Sequence, residues 1–219
     1  MILLIGGETA GTGKTTLAAN LAARLSAQGA AVILVDTDKQ GHAKAWARIR
    51  DENGDLPKVS SVYVSTATLE EEIQKLAGDY DEVVIDASSC YGKELQSAML
   101  AADQLLIPVL PSPYDVGTTE RTDEHVSQAR GKNAAFKAVS VINRASAHPH
   151  SHESNNAREG LGAFNDVPFS GVVVHDRVAF RRAMSAGGSV WEMMTRDPNA
   201  CAEMDAVYAA IYSKEASLA

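Results

Sequence analysis

Gly6-Gly7-Glu8-Thr9-Ala10-Gly11-Thr12-Gly13-Lys14-Thr15-Thr16 is the stretch on which the reading of this chain turns. It follows Ile2-Leu3-Leu4-Ile5, a short apolar run of strand character. It opens a segment in which Leu17, Leu21 and Leu25 recur every four residues, the period of a helix that ends near Gly29. Strand, glycine-rich turn and helix in that order are the setting of a phosphate loop. Gly11 and Gly13 let the backbone turn so that successive N–H groups aim at one anion. The helix opening near Lys14 adds the positive end of its dipole. Lys14 is placed to reach β- and γ-phosphates, and the Thr15 hydroxyl suits a Mg²⁺ ligand.

Working outward, short apolar runs at 2–5, 31–35, 62–64, 82–85, 104–110, 138–142 and 171–174 alternate with segments of helical period. Several are apolar throughout, as strands covered on both faces are. The alternation predicts an α/β fold, a mostly parallel central sheet flanked by helices on both faces. Met204, Val207, Tyr208, Ile211 and Tyr212 give the last helix one apolar stripe. Asp36 and Asp38 follow the second strand and Asp86 ends a later one. Ligands of open parallel sheets bind at such carboxyl ends. Carboxylates there hold Mg²⁺ or orient an attacking water, although a single Asp after a strand is more often a cap or a turn former.

The chain has 219 residues, 45% apolar and 22% charged, a balance that fits one globular domain over 1–219 and excludes a mainly disordered chain. Acidic residues outnumber basic ones 28 to 20, for a net charge of −8, which excludes a uniformly basic nucleic-acid coat but not a local patch. Cys90 and Cys201 are too few for a disulfide framework or a four-cysteine metal site and suit a reducing cytoplasm. No window approaches the ~20 apolar residues that span a bilayer, so a cytoplasmic, membrane-free protein is expected. Residues 145–156 look like a linker, and its alternating His148, His150 and His152 read as a solvated loop rather than a metal site. Trp46, Trp191, Met193 and Met194 read as packing residues.

The phosphate loop, then Asp36-Thr37-Asp38-Lys39-Gln40-Gly41, Val83-Val84-Ile85-Asp86, Leu106-Ile107-Pro108-Val109-Leu110-Pro111-Ser112-Pro113 and Val141-Ile142-Asn143-Arg144 resemble, in order and spacing, the ParA/MinD family of P-loop ATPases with a deviant Walker A loop. Within it the chain is most similar to the compact ParA proteins of plasmid and chromosome partition. The resemblance implies ATP and Mg²⁺ as ligands. Ala10, Gly11, Thr12, Gly13, Lys14, Thr15 and Thr16 would cradle the phosphates, and Asp38 would align the hydrolytic water. Thr15, Asp36 and Asp86 would form the Mg²⁺ shell, with Pro111, Asn143 and Arg144 near the adenine. It further implies an ATP-dependent homodimer, a small DNA-binding partner protein, and nonspecific DNA held near Arg177, Arg181 and Arg182. Arg177 and Arg181 fall four residues apart, a spacing that shares a helix face. Three arginines on so acidic a chain are equally read as a solvated face paired with carboxylates.

Departures from the family pattern sit in the loop itself. The family's Lys-Gly-Gly-x-Gly-Lys-Thr stands here as Thr9-Ala10-Gly11-Thr12-Gly13-Lys14-Thr15, and Glu8 replaces the first glycine of the ordinary P-loop pattern. Lys39 stands where the family usually has proline. Loss of a cation near a transferring phosphoryl group costs orders of magnitude in rate. Nucleotide binding is therefore expected more firmly than turnover. Three other readings stay open. A MinD-type membrane protein would need a basic amphipathic end, which residues 211–219 do not provide. A dethiobiotin synthetase-like enzyme would share the missing lysine, and a nucleotide-gated adaptor for conjugation, secretion or export would do without hydrolysis.

Overall fold

A computed structural model describes residues 1–64, 69–87, 93–148 and 153–212. Cys90, His150, His152 and the tail from residue 213 lie outside the described residues. The elements run β1 (Ile2–Ile5), α1 (Lys14–Ala27), β2 (Val32–Asp36), α2 (His42–Glu52), β3 (Ser60–Tyr63), α3 (Leu69–Asp79), β4 (Glu82–Asp86), α4 (Lys93–Ala101), β5 (Gln104–Val109), α5 (Pro113–Arg130), β6 (Lys137–Ala145), α6 (Glu153–Leu161), β7 (Phe169–His175), α7 (Val178–Ser185) and α8 (Pro198–Tyr212). All seven expected strands are present. At the two ends of the linker-like stretch β6 runs to Ala145 and α6 opens at Glu153, while residues 149–152 lie outside the described residues.

Seven parallel strands form one sheet in the order β3-β2-β4-β1-β5-β6-β7. Side chains alternate across it, as the period of a strand requires. Leu4, Ile33, Ile85 and Leu105 join the core under α3, α4, α5 and α6. Leu3, Leu34, Val84 and Leu106 join the core under α1, α2, α7 and α8. Both faces are thus covered, and β1 to β5 are short apolar runs because neither face meets water, β3 at the edge excepted. Strand order reverses on the two sides of β1, between β4 and β5, so the loop after β1 emerges where the flanking crossovers diverge and leave a crevice.

A buried ion pair ties α2 to the segment after α7. Arg50, whose side chain is fully buried, donates to Glu192 through Nη2 (2.6 Å) and Nη1 (2.9 Å). Trp46 Nε1 donates to the Gly188 carbonyl at 3.0 Å. Gly187 closes the contact. Its φ is +65°, and a Cβ there would stand 2.4 Å from Arg50 N. Trp46 is therefore core, as expected. Met194 is not packed at all and stands fully exposed.

Candidate functional site

The loop between β1 and α1 curls around its own lysine. Lys14 is buried, and its Nζ donates to the Thr9 carbonyl at 2.7 Å and, more weakly, to that of Gly7 at 3.5 Å. From β6, Asn143 Nδ2 donates to the Thr12 carbonyl (2.6 Å) and Arg144 Nη1 to that of Gly11 (2.7 Å). Gly13 has φ +89°, and any Cβ there would meet Asn143 Nδ2 at 2.5 Å, so both backbone and space demand glycine. Arg144 itself adopts φ +55°, a left-handed conformation that a non-glycine residue holds only where its surroundings compel it. Those surroundings are its bond to Gly11 and its 3.6 Å ion pair with Asp176.

Behind the loop, Asp36 and Asp86 end neighbouring strands in direct register. Asp36 is fully buried, and its carboxylate accepts the backbone N–H groups of Asp38 (2.9 Å) and Lys44 (3.1 Å). Asp86 accepts the Thr15 hydroxyl at 2.7 Å through Oδ2, while its buried Oδ1 has no hydrogen-bond partner among the described residues. Burial pushes the Asp86 carboxyl up to about 7. The Thr15 hydrogen bond opposes that, the Asp36 charge adds to it, and Lys14 offsets it. A hydroxyl and two carboxylates, one with an idle oxygen, form an all-oxygen donor set that fits a hard cation such as Mg²⁺. Asp38 is half-buried and its Oδ1 accepts Gln40 N–H at 2.9 Å, a local turn that presents the carboxylate beside this cluster.

A cavity of about 510 Å³ opens from the loop along the start of α1, lined by Gly13, Thr15, Thr16, Asn143 and Arg144 on one side and by Asp176, Phe180 and Arg181 on the other. Its size suits a nucleoside. Thr16, Asn143 and Arg144 thus line one cavity. Pro111 does not line the cavity; it precedes Ser112, whose Oγ accepts Asp115 N–H and caps α5. His42, His175, Asp176, Phe180 and Met184 line it unforeseen. Asp176 follows a strand end, a cue of the same kind as Asp36 and Asp86.

The three arginines assigned to DNA do not share one face. Arg177 is the cap of α7, with extended φ −108° and ψ 144°, so a spacing of four to Arg181 is not a helical one. Its guanidinium is bound to Glu203 at 2.7 Å, where His175 Nδ1 also contacts the carboxylate at 2.7 Å. Glu203 accordingly holds the Arg177 guanidinium even more firmly protonated than usual. Arg181 turns the other way, toward the cavity, and pairs with Asp176 at 2.7 Å. Arg182 is exposed. With Arg177, Arg196, Met193 and Met194 it lines a second, open groove of about 670 Å³.

A phosphate loop at the strand-order reversal of a parallel sheet, with paired acids behind it, marks a P-loop nucleotide-binding protein. Comparison with known proteins narrows the class: residues 3–190 match the CobQ/CobB/MinD/ParA nucleotide binding domain, and the chain belongs to that family of nucleotide-binding ATPases. It is 30% identical over 206 residues to Maintenance of carboxysome distribution protein A of Halothiobacillus neapolitanus, covering 94% of this chain and 93% of that one. It is 29% identical over 179 residues to the chromosome partitioning protein ParA of Myxococcus xanthus, covering 64% and 63%. The fold matches the Cyanothece McdA(D38A)–ATP complex with a TM-score of 0.72 at 21% identity, over 95% of each chain. Among the described residues no helix is long and apolar enough to cross a membrane.

Proposed function

We propose that this chain is a ParA-like ATPase that binds ATP with Mg²⁺ and, as an ATP-dependent homodimer, holds duplex DNA without sequence preference so that a cargo is partitioned along it. The observation that carries the reading is Asp86. It is a buried carboxylate with one oxygen idle among the described residues, in register with Asp36 and hydrogen-bonded to Thr15 where the phosphate loop passes into α1. Thr15, Asp86 and Asp36 would hold Mg²⁺, which when bound neutralises charge on the phosphates.

The chain's own groups do the rest. Backbone N–H groups from Ala10 to Thr16 receive the phosphates, and Lys14 exchanges the Thr9 carbonyl for phosphate oxygens. Asp38 orients the attacking water. Asn143 and Arg144 hold the loop and the nucleoside wall together. The names of the two relatives, one for carboxysome distribution and one for chromosome partitioning, support positioning of a cargo and leave that cargo either DNA or a large assembly. A small DNA-binding protein is the expected stimulating partner, and the solvent-facing arginines, Arg182 foremost, are the expected DNA contacts. Lys14→Ala should weaken nucleotide binding tenfold or more, because a charge-assisted contact is worth ~1.5–3 kcal/mol. Equal calorimetric affinities for wild type and variant would overturn the site.

A second reading, a nucleotide-gated adaptor with little turnover, is favoured by Thr9. Its hydroxyl meets the Thr118 hydroxyl at 3.1 Å and brings no charge to the loop. Thr9→Lys combined with Ala10→Gly should raise steady-state ATP hydrolysis if turnover is limited by that missing cation. Brisk hydrolysis by the unaltered chain, unimproved by the double change, would refute this account of the loop.

A further inference from the structure

Among the described residues, two buried oxygens on the α5 side of the phosphate loop lack a hydrogen-bond partner. Glu8 and Thr12 are 4% and 3% exposed, and neither Glu8 Oε2 nor Thr12 Oγ1 is hydrogen-bonded. Both residues line one small space of about 10 Å³, with Thr9, Asp115, Thr118 and Thr122 around it. A buried polar group left in this way costs about 1–3 kcal/mol, and more when charged. Two at one spot call for a shared partner.

The surroundings define what that partner is. Every side-chain donor around the space is an oxygen, so thiolate- and imidazole-seeking metals are excluded. Thr118 and Thr119 spend their hydroxyl protons on the Asp115 carbonyl, at 2.7 and 3.3 Å; the Thr9 hydroxyl, 3.1 Å from Thr118 Oγ1, fills one Thr118 lone pair, which leaves one on Thr118 and those of Thr119 for an electrophile. Glu8 and Asp115 bring two formal negative charges. Arg121, 3.6 Å from Glu8 Oε2 and mostly exposed, returns one positive charge. Among the side chains that line the space and their ion pairs one negative charge remains; the Lys14 ammonium is held by the Gly7 and Thr9 carbonyls. A divalent ion would overcompensate it, and Mg²⁺ keeps a shell of waters for which there is no room. The space is large enough for one water-sized sphere.

We propose that Glu8, Thr12 and the threonines of α5 form a site for a dehydrated alkali cation, Na⁺ or K⁺, distinct from the Thr15–Asp86 cluster. Such an ion would brace the loop at Thr12, one residue before the glycine that no side chain can replace. Because it binds the folded chain and not the unfolded one, it raises stability by mass action. Thermal unfolding of the full chain without nucleotide, in NaCl, KCl and choline chloride at matched ionic strength, tests this independently of the ATPase reading. The midpoint should lie about 2–4 °C higher in at least one alkali salt than in choline. Glu8→Gln, which keeps shape and removes charge, and Thr12→Val should each abolish the difference. Equal midpoints in all three salts would mean that only water fills the space and would overturn the proposal. So would a cation effect that survives both substitutions.

Discussion

The carboxyl ends of β2 and β4 and the flank around α7 both concentrate acidic side chains, yet they are opposite in electrostatic state. On the α7 flank three acids are paired with arginine: Glu192 with Arg50, Glu203 with Arg177, and Asp176 with Arg181 and Arg144. At the strand ends Asp36 and Asp86 are more deeply buried, and hydroxyl or backbone N–H groups are their nearest polar contacts. A buried acid with a guanidinium is part of the fold's own bonding. A buried acid without one is where a ligand is wanted. The difference also corrects the view of α7 as a cationic surface, since most of its arginines are spent on neighbouring carboxylates.

The largest expected effect breaks the internally satisfied side. Arg50→Ala should destabilise the protein by about 3–5 kcal/mol in urea titration, because it strands the buried Glu192 carboxylate. A loss under 1 kcal/mol would show that the pair is not the glue it looks like. Burial works against the Glu192 charge, but Arg50 and the Ser189 hydroxyl and N–H hold its carboxyl below the ordinary 4.5. Its contribution is therefore present above that ordinary value and lost as pH falls through the lowered one. Glu192→Gln should accordingly give a flatter acid limb in a plot of stability against pH.

Next in size, Asp86→Asn should show the reverse sign. With its carboxyl raised from 3.8 to about 7, Asp86 favours the fold fully below 3.8 and loses that contribution as pH rises to about 7. At pH 8 without Mg²⁺ the Asn variant should be more stable by about 2–4 kcal/mol, while Mg²⁺ no longer tightens nucleotide binding. A variant less stable than wild type at that pH would erase the contrast between the two regions.

The smallest effect sharpens the contrast within α7. Arg182→Ala should lower the slope of log affinity for DNA against log salt by about one. Arg177→Ala should change that slope little and cost stability instead. Anisotropy titrations across a salt series, with melting curves beside them, decide between the two. Equal slopes for Arg182→Ala and wild type would move the DNA contact elsewhere.

Local chemistry carried most of this fold into the sequence. Seven short apolar runs, the glycines of the loop and the aspartates at strand ends could be recognised because each acts within a few residues of itself. The far wall of the cavity could not. His175, Asp176, Phe180 and Met184 lie more than a hundred residues from the loop and reach it only through the placement of β7 at the sheet edge. A related case is Arg177: it precedes the first helical residue, and one position decides whether a spacing of four means a shared face. Pro111 is expected near the adenine from resemblance alone, and no local signal shows that the cap at Ser112 leads its segment into α5.

The position of β1 bears on how the chain is made. Of the seven strands of this sheet Ile2–Ile5 is the first in chain order, but its two neighbours are residues 82–86 and 104–109. At a synthesis rate of about 5–20 residues per second, its apolar run waits roughly 5–20 s for both flanks. During that interval its backbone groups and side chains have no partner from the finished sheet, the condition under which nascent strands aggregate. Of the seven strands, the one that carries the phosphate loop is therefore made first and waits longest for both flanks. Substitutions there should show first as lost soluble yield, before any change in nucleotide affinity.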